Sequence, residues 1–387
     1  MKFLFITSHY YPKPDPNAKR ITGLAENLVR KGNSVTVITS SDDFSFREIN
    51  GVCVYGLKSK GNFSKGKVSR LLNHITFMIK TIRFKREKDI YDFVIATSPS
   101  PFNYISGQRL AKKYSAKFVI DIRDIWPDVF VQTGIAKERD LVYRVFNFIA
   151  ERAYKEADYI FVVTPGKKKR LQNKYPKYAK KIHLVSNGFD EKFLDNNINI
   201  SFFNKFSKDD LNILYCGNVG IAQDLIPFID VLEIINDSRI QFHILGKGNR
   251  LDYLLNYCSN KTSVNVQYHG LRCEEDVYTA LKAADVSYVS LGSDLLDDSI
   301  PTKIYESIAM GVPVVLSATG DAVNLINTVG FGKIASSKDL KGLESAIRSV
   351  IQEKDKFLDL SEYAKSYVID NYSRSKITDE LLAILQQ

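Results

Sequence analysis

Short runs of β-branched and aromatic residues alternate with longer amphipathic stretches along the whole chain, the pattern of parallel strands covered by helices. In the first half, Phe3 to Thr7, Ser34 to Thr39, Val52 to Leu57, Phe93 to Ala96, Lys117 to Ile120, Tyr159 to Val163 and His183 to Val185 predict strands. Helices such as Lys19 to Lys31 and Phe102 to Tyr114 fall between them. A second series begins at Asn212 to Tyr215 and continues through Gln241 to Leu245, Asn265 to Tyr268, Val286 to Ser290 and Pro313 to Leu316. Between the series, Asn187 to Asp210 is rich in Asn, Asp, Lys and Ser and keeps no periodicity, as expected of an interdomain connection. The class is therefore α/β, with two doubly wound domains over residues 1–200 and 201–370. Such sheets bind ligands outside the carboxyl ends of their strands, which places function in the strand-to-helix loops.

A chain of 387 residues is too long for one hydrophobic core, which agrees with two domains. A composition of 44% hydrophobic and 25% charged residues excludes collagen-like, low-complexity and disordered classes. Cys53, Cys216, Cys258 and Cys273 are isolated in sequence, which predicts a reducing compartment rather than a disulfide framework. The histidines at 9, 74, 183, 243 and 269 lack the paired spacing of a metal site, so no structural metal is expected. Met1 to Tyr11 is unlike a signal peptide, and no run reaches the roughly 18 apolar residues of a membrane span. A cytoplasmic protein is expected.

Two loops carry the first chemical signal. Gly217-Asn218-Val219-Gly220 ends one predicted strand and Gly246-Lys247-Gly248 another, with Arg250 close behind and a helix predicted from about Pro227. Glycines there let backbone N–H groups approach an anion that a helix N-terminus also favours, although a glycine after a strand is also an ordinary tight turn. The strongest segment runs from Asp298 and Ser299 through Pro301-Thr302-Lys303-Ile304-Tyr305-Glu306 to Gly311. Pro301 near the first turn, Thr302 as a cap and Gly311 past the end frame a short helix that carries a lysine at its start. Lys303 and Glu306, three apart, share one face: a cation for phosphate and a carboxylate for ribose hydroxyls, or simply a surface pair.

With these motifs in order, from the first helix through Asn187-Gly188-Phe189-Asp190 to Val315, the chain resembles the two-domain GT-B glycosyltransferases, specifically retaining family 4. Asp121-Ile122-Arg123-Asp124-Ile125-Trp126-Pro127-Asp128 further resembles the N-acetylfucosaminyl transferases of bacterial capsule and O-antigen assembly. The resemblance implies facing Rossmann-like domains with a cleft between them, and a closing helix over 371–387 that packs on the first domain. It implies a nucleotide-sugar co-substrate, no cofactor, and Asp298 and Glu306 as the family's two acidic residues; Asp298 is one methylene shorter than the usual glutamate. Asn218 and Gln223 stand where many members have arginine and lysine, so Lys303 and Lys247 are expected to compensate at the diphosphate. Arg123 and Asp124 are expected to steer the donor sugar or the incoming hydroxyl; Lys19 and Arg20, at the start of the first helix, are placed to meet acceptor phosphate or donor diphosphate, or are simply solvated helix residues.

The net charge of +10 is concentrated. Residues 58 to 88 hold ten basic residues, among them Arg70, Lys80, Arg83, Lys85 and Arg86, against Glu87 alone. Leu71, Leu72, Ile75, Met78, Ile79 and Ile82 recur beside them at helical spacing, the pattern of a helix lying on anionic lipid or of one packing on its own sheet. No nucleic-acid motif accompanies the charge. The expected function is transfer of a sugar, of N-acetylhexosamine type, from a UDP-sugar to an undecaprenyl-pyrophosphate-linked saccharide at the cytoplasmic face of the inner membrane. The alternatives are a UDP-sugar 2-epimerase of the same fold and a nonenzymatic protein that binds anionic lipid.

Overall fold

The computed structural model describes residues 1–13, 15–59, 66–85, 90–132, 134, 136–194, 206–207, 209–292 and 296–387. Eight of its strands form one sheet: β1 (Lys2–Thr7), β2 (Ser34–Ser41), β3 (Ser45–Ile49), β4 (Val52–Lys58), β5 (Phe93–Thr97), β6 (Lys117–Ile122), β7 (Tyr159–Val162) and β8 (Ile182–Leu184). Their order is β3-β4-β2-β1-β5-β6-β7-β8, parallel except for β3, which pairs antiparallel with β4 at the edge. A second, all-parallel sheet contains β9 (Leu211–Asn218), β10 (Ile240–Lys247), β11 (Asn265–Tyr268), β12 (Val286–Ser290), β13 (Val314–Ser317) and β14 (Gly332–Ala335) in the order β11-β10-β9-β12-β13-β14. Two expectations needed additions. β3 has a mostly exposed burial pattern with no alternation to read, and β14 is four residues opening on glycine.

The chain divides into two units, Met1–Asn187 with Ile377–Gln387, and Gly188–Lys376. The division falls at 187/188 and 376/377, against the 200 and 370 read from sequence. Phe189 explains the first shift: it is buried in the second unit's core, its N–H donates to Tyr372 O at 3.0 Å, and its carbonyl accepts from Arg374 N at 2.8 Å. Ile377, Leu381 and Leu385, four residues apart on one helical face, are buried with Ile21, Leu24 and Leu28 in the first unit.

In the second sheet Asn212, His243 and His269 lie on β9, on β10 and just past β11, and form a buried chain. His243 Nε2 meets Asn212 Oδ1 at 3.0 Å and its Nδ1 meets His269 Nε2 at 3.0 Å. Asn212 Nδ2 donates to Ser207 O at 3.0 Å, which leaves Oδ1 as acceptor; His243 therefore carries its proton on Nε2 and accepts on Nδ1. The Phe206 ring stacks on His243 with centroids 3.9 Å apart. Burial, and then the charge of His269, push the His243 pKa down to about 4. A depressed histidine contributes stability that is present above its unfolded value near 6.5 and lost as pH falls from there through 4. Wild-type protein is therefore expected to lose about 3 kcal/mol through this group between pH 7 and pH 4. His243→Gln should be less stable at pH 7 yet flatter over that window. Urea unfolding at the two pH values checks this, and parallel profiles for the two proteins would refute it.

Candidate functional site

In the second sheet the strand order reverses between β9 and β12, the position where doubly wound sheets bind ligands. The loops after these strands are tied together: Gly292 N donates to Ala222 O at 2.8 Å, and the Ser290 hydroxyl donates to Gln223 O. Gly217 and Gly246 lie opposite each other across β9 and β10 at φ +145° and +146°. A Cβ on Gly246 would stand 1.8 Å from Gly217 O, and one on Gly217 would stand 2.9 Å from Lys303 Nζ. Gly246 is required by close approach and both by their positive φ, and the missing side chain at Gly217 leaves room for the lysine.

The helix Thr302–Ala309 delivers that lysine. Ile304, Tyr305, Ile308 and Ala309 form its buried face, leaving Lys303 and Glu306 on the partly open side. Ser307 Oγ donates to Ser287 Oγ on β12 at 2.7 Å, which pins the helix to the sheet. Thr302 is the first helical residue rather than the cap, because Pro301 already holds the extended cap conformation (φ −62°, ψ 133°). The Lys303 ammonium sits 4.1 Å from the centre of the Tyr215 ring, and Tyr215 donates its hydroxyl to Asn218 O at 2.6 Å. Among the described residues Lys303 has no ion pair. Burial pulls its pKa down to about 8, against the opposing pull of Cys216 and Glu306. A partly desolvated cation beside a glycine-formed gap has the charge and the space that an anion requires.

The other expected donor residues surround this point unevenly. Asn218 Nδ2 donates to Gln223 Oε1 at 2.9 Å, so the two amides that replace the family's cations bond each other across the turn at Gly220. Lys247 pairs in register with Asn218 and is exposed. Arg250 donates its backbone N–H to Val219 O at 3.1 Å and stacks its guanidinium over Tyr253 at 5.2 Å, beside a cavity of about 320 Å³ bordered by Gly220, Asp224 and Pro227. Asp298 is buried, with Ser299 Oγ at 3.5 Å from its carboxylate.

The first unit corrects one expectation outright. Arg20 is 1% exposed and its guanidinium is fully engaged: Nε and Nη2 donate to Asp121 at 3.2 and 2.7 Å, Nη1 to Ser186 O at 2.6 Å, and Nη2 to Val185 O at 3.0 Å. It ties its own helix to β6 and to the segment just past β8, and with every contact turned inward it does not present a cation to an acceptor phosphate. Lys19 is half-buried, Asp124 is exposed, and Arg123 follows β6 at the carboxyl edge. In the helix Gly66–Arg83, Leu71, Leu72 and Ile79 are exposed along with Lys80 and Arg83, and Lys85 follows them, while Phe77 is buried; the helix both packs and presents an apolar face. Arg86 and the side chain of Arg70 lie outside the described residues. No helix among them is long and apolar enough to cross a membrane, and no group of three His, Cys, Asp or Glu among them is arranged to hold a metal ion. The sequence reading missed Tyr215, whose place in an apolar strand reads as core.

Two α/β units built on parallel sheets make up the architecture of the GT-B glycosyltransferases. Residues 18–193 match the profile described as Glycosyltransferase Family 4, and residues 196–367 match that described as Glycosyl transferases group 1. Both glycosyltransferase domains are present in this chain. WbjE of Pseudomonas aeruginosa, a probable glycosyltransferase, is 22% identical over 265 residues, 66% of this chain; the chain spans 65% of that relative's length, just under two thirds. The solved structure of sucrose-phosphate synthase from Thermosynechococcus elongatus has a TM-score of 0.76 at 15% identity over 100% of this chain and 98% of that one. Anabaena HepE in complex with UDP-glucose gives 0.73 at 15%, over 100% and 99%. At such identities the likeness is one of fold.

Proposed function

We propose that the chain is a retaining, metal-independent glycosyltransferase. It moves a sugar of N-acetylhexosamine type from a UDP-sugar to a lipid-pyrophosphate-linked saccharide in bacterial surface polysaccharide assembly, within the branch that includes the N-acetylfucosaminyl transferases. The observation that carries this reading is the Lys303 ammonium, held on the Tyr215 face against Gly217 without an ion-pair partner among the described residues. A diphosphate is the ligand whose charge and oxygen geometry suit that position. In the reaction the bond from the sugar's anomeric carbon to the β-phosphate oxygen breaks and a bond to the acceptor hydroxyl oxygen forms. The hydroxyl proton passes to the departing phosphate, and UDP leaves with Lys303 stabilising its growing charge. Glu306 takes the ribose hydroxyls, Asp298 lies toward the sugar, and Asp124 steers the sugar or the hydroxyl.

The exposed Leu71, Leu72 and Ile79 beside Lys80 and Arg83 support contact with an anionic bilayer on the first unit, as a lipid-borne acceptor requires. The test incubates the chain with labelled UDP-N-acetylhexosamine, with and without a lipid-pyrophosphate-linked saccharide. Acceptor-dependent transfer is expected, and Glu306→Ala should weaken UDP binding about 10- to 30-fold through lost ribose hydrogen bonds. Epimerised nucleotide sugar formed without acceptor would replace this reading with the epimerase. Absence of UDP binding in the wild type would overturn both.

A further inference from the structure

The first unit has a switch point of its own, between β1 and β5, and polar atoms without partners collect in the loops that follow β5 and β6. Arg123 donates its backbone N–H to Ser98 Oγ at 2.8 Å, which ties the two loops together. Its Nε and Nη1 are buried and find no acceptor among the described residues, yet the residue as a whole is partly open. Asp124 is the nearby carboxylate whose charge acts most strongly on the guanidinium, without hydrogen-bonding those two nitrogens, and the other two are committed elsewhere. Asp121 is held bidentately by Arg20, and Asp15 accepts from Asn17 N and Ala18 N and meets His9 Nδ1 at 2.8 Å. Asp124 is exposed.

Three more atoms at the same edge, Trp126 Nε1 and Ser100 Oγ in these loops and Asn103 Oδ1 in the first turn of the helix Pro101–Tyr114, are buried without partners. Asn103 Nδ2 donates to Thr97 O at 2.9 Å, so the amide is oriented and its Oδ1 is a waiting acceptor. Buried polar groups left unpaired are costly, and their concentration at one sheet edge calls for a ligand. Guanidinium and indole N–H groups demand an acceptor-rich anion; an oriented amide oxygen demands a hydroxyl donor. We infer that these loops bind a phosphorylated sugar, with its phosphoryl group on Arg123 and a hydroxyl on Asn103, and, resting on the transferase reading, that this compound is the acceptor or its phosphate-bearing end.

The experiment uses the full chain carrying Lys303→Ala, which removes the donor-side anion receptor, and reads the melting temperature with inorganic phosphate, glucose 1-phosphate or ionic-strength-matched chloride. Both phosphates are expected to raise it relative to chloride. Adding Arg123→Gln should weaken both at least tenfold, Arg123→Lys should restore part of the effect, and Asn103→Leu should weaken glucose 1-phosphate while sparing inorganic phosphate. A parallel arm measures sedimentation with phosphatidic acid or phosphatidylcholine vesicles. Dependence on Arg123 confined to phosphatidic acid identifies a lipid-borne phosphate, and dependence in the soluble arm identifies a free one. If Arg123→Gln leaves ligand response unchanged in both arms, or the parent responds in neither, the inference is overturned. UDP binding by the wild type, measured alongside, separates that failure from failure of the transferase reading.

Discussion

Lys303→Ala is expected to lower kcat/KM for sugar transfer by two to three orders of magnitude, about 3–4 kcal/mol, with the fold intact. The ammonium stands at the end of β9 where a side chain on Gly217 would collide with it, and it rests on the Tyr215 ring, so its position is fixed before any ligand arrives. A charge placed in advance beside a developing diphosphate needs no reorganisation, which makes it worth more than a mobile surface cation. Lys303→Arg should recover little, because the space between Gly217 and the Tyr215 face is shaped for a compact ammonium rather than a planar fork. The reaction should also have a basic limb. With a free-state pKa of about 8, lowered by burial, the lysine is charged below that pH and loses its proton above it. A bound diphosphate favours the charged form, so UDP affinity is expected to hold from pH 6.5 to 8 and then fall about tenfold per pH unit. Calorimetric titration of UDP across pH 6.5 to 9.5 measures this. A flat profile in the wild type, or a basic limb surviving in Lys303→Ala, would remove Lys303 from the site.

The placement of these residues was largely legible in the sequence because the parts are local. Gly217, Gly246 and Lys303 each sit at a strand end or helix start that periodicity locates, and the three-residue step from Lys303 to Glu306 fixes a shared face whatever the tertiary context. Tyr215 was not legible, since an aromatic residue inside Leu211–Asn218 satisfies the strand pattern equally well as core and as the floor of a site. The amides Asn218 and Gln223 marked a departure from the family pattern, but that they bond each other depends on a turn whose geometry no spacing reveals.

Arg20 failed as a reading for a different reason. A basic residue next to Lys19 at the start of an amphipathic helix has the local signature of a solvated cation, and its true partner, Asp121, lies 101 positions away. Burial of Arg123 Nε and Nη1 was equally invisible, since it arises from two loops brought together across β5 and β6. Long-range ion pairs are set by sheet order, and the order that places β6 two strands from β1 emerges only when the whole sheet is assembled.

The second large effect follows from that pair: Arg20→Ala is expected to destabilise the first unit by about 4 kcal/mol. The guanidinium has four acceptor contacts, two on Asp121 and one each on the carbonyls of Val185 and Ser186, all in a place water does not reach. Truncation leaves a buried carboxylate without a counter-charge and two carbonyls without donors, and each carries its own desolvation penalty. Asp121→Ala should cost a similar amount by stranding the cation. The double replacement Arg20→Met with Asp121→Leu should recover much of the loss, because a buried pair gives little net stability over apolar residues of like volume, whereas half a pair is a charge in a low-dielectric interior. A two-unit chain need not unfold in one step, so urea unfolding should be followed with a probe confined to the first unit. UDP affinity, which the proposed function assigns to Lys303 and its glycines in the second unit, should remain within about twofold of wild type under native conditions. A loss below about 1 kcal/mol, or single and double variants that simply add, would mean that Arg20 is no brace, and its reassignment from acceptor contact to framework would have to be withdrawn.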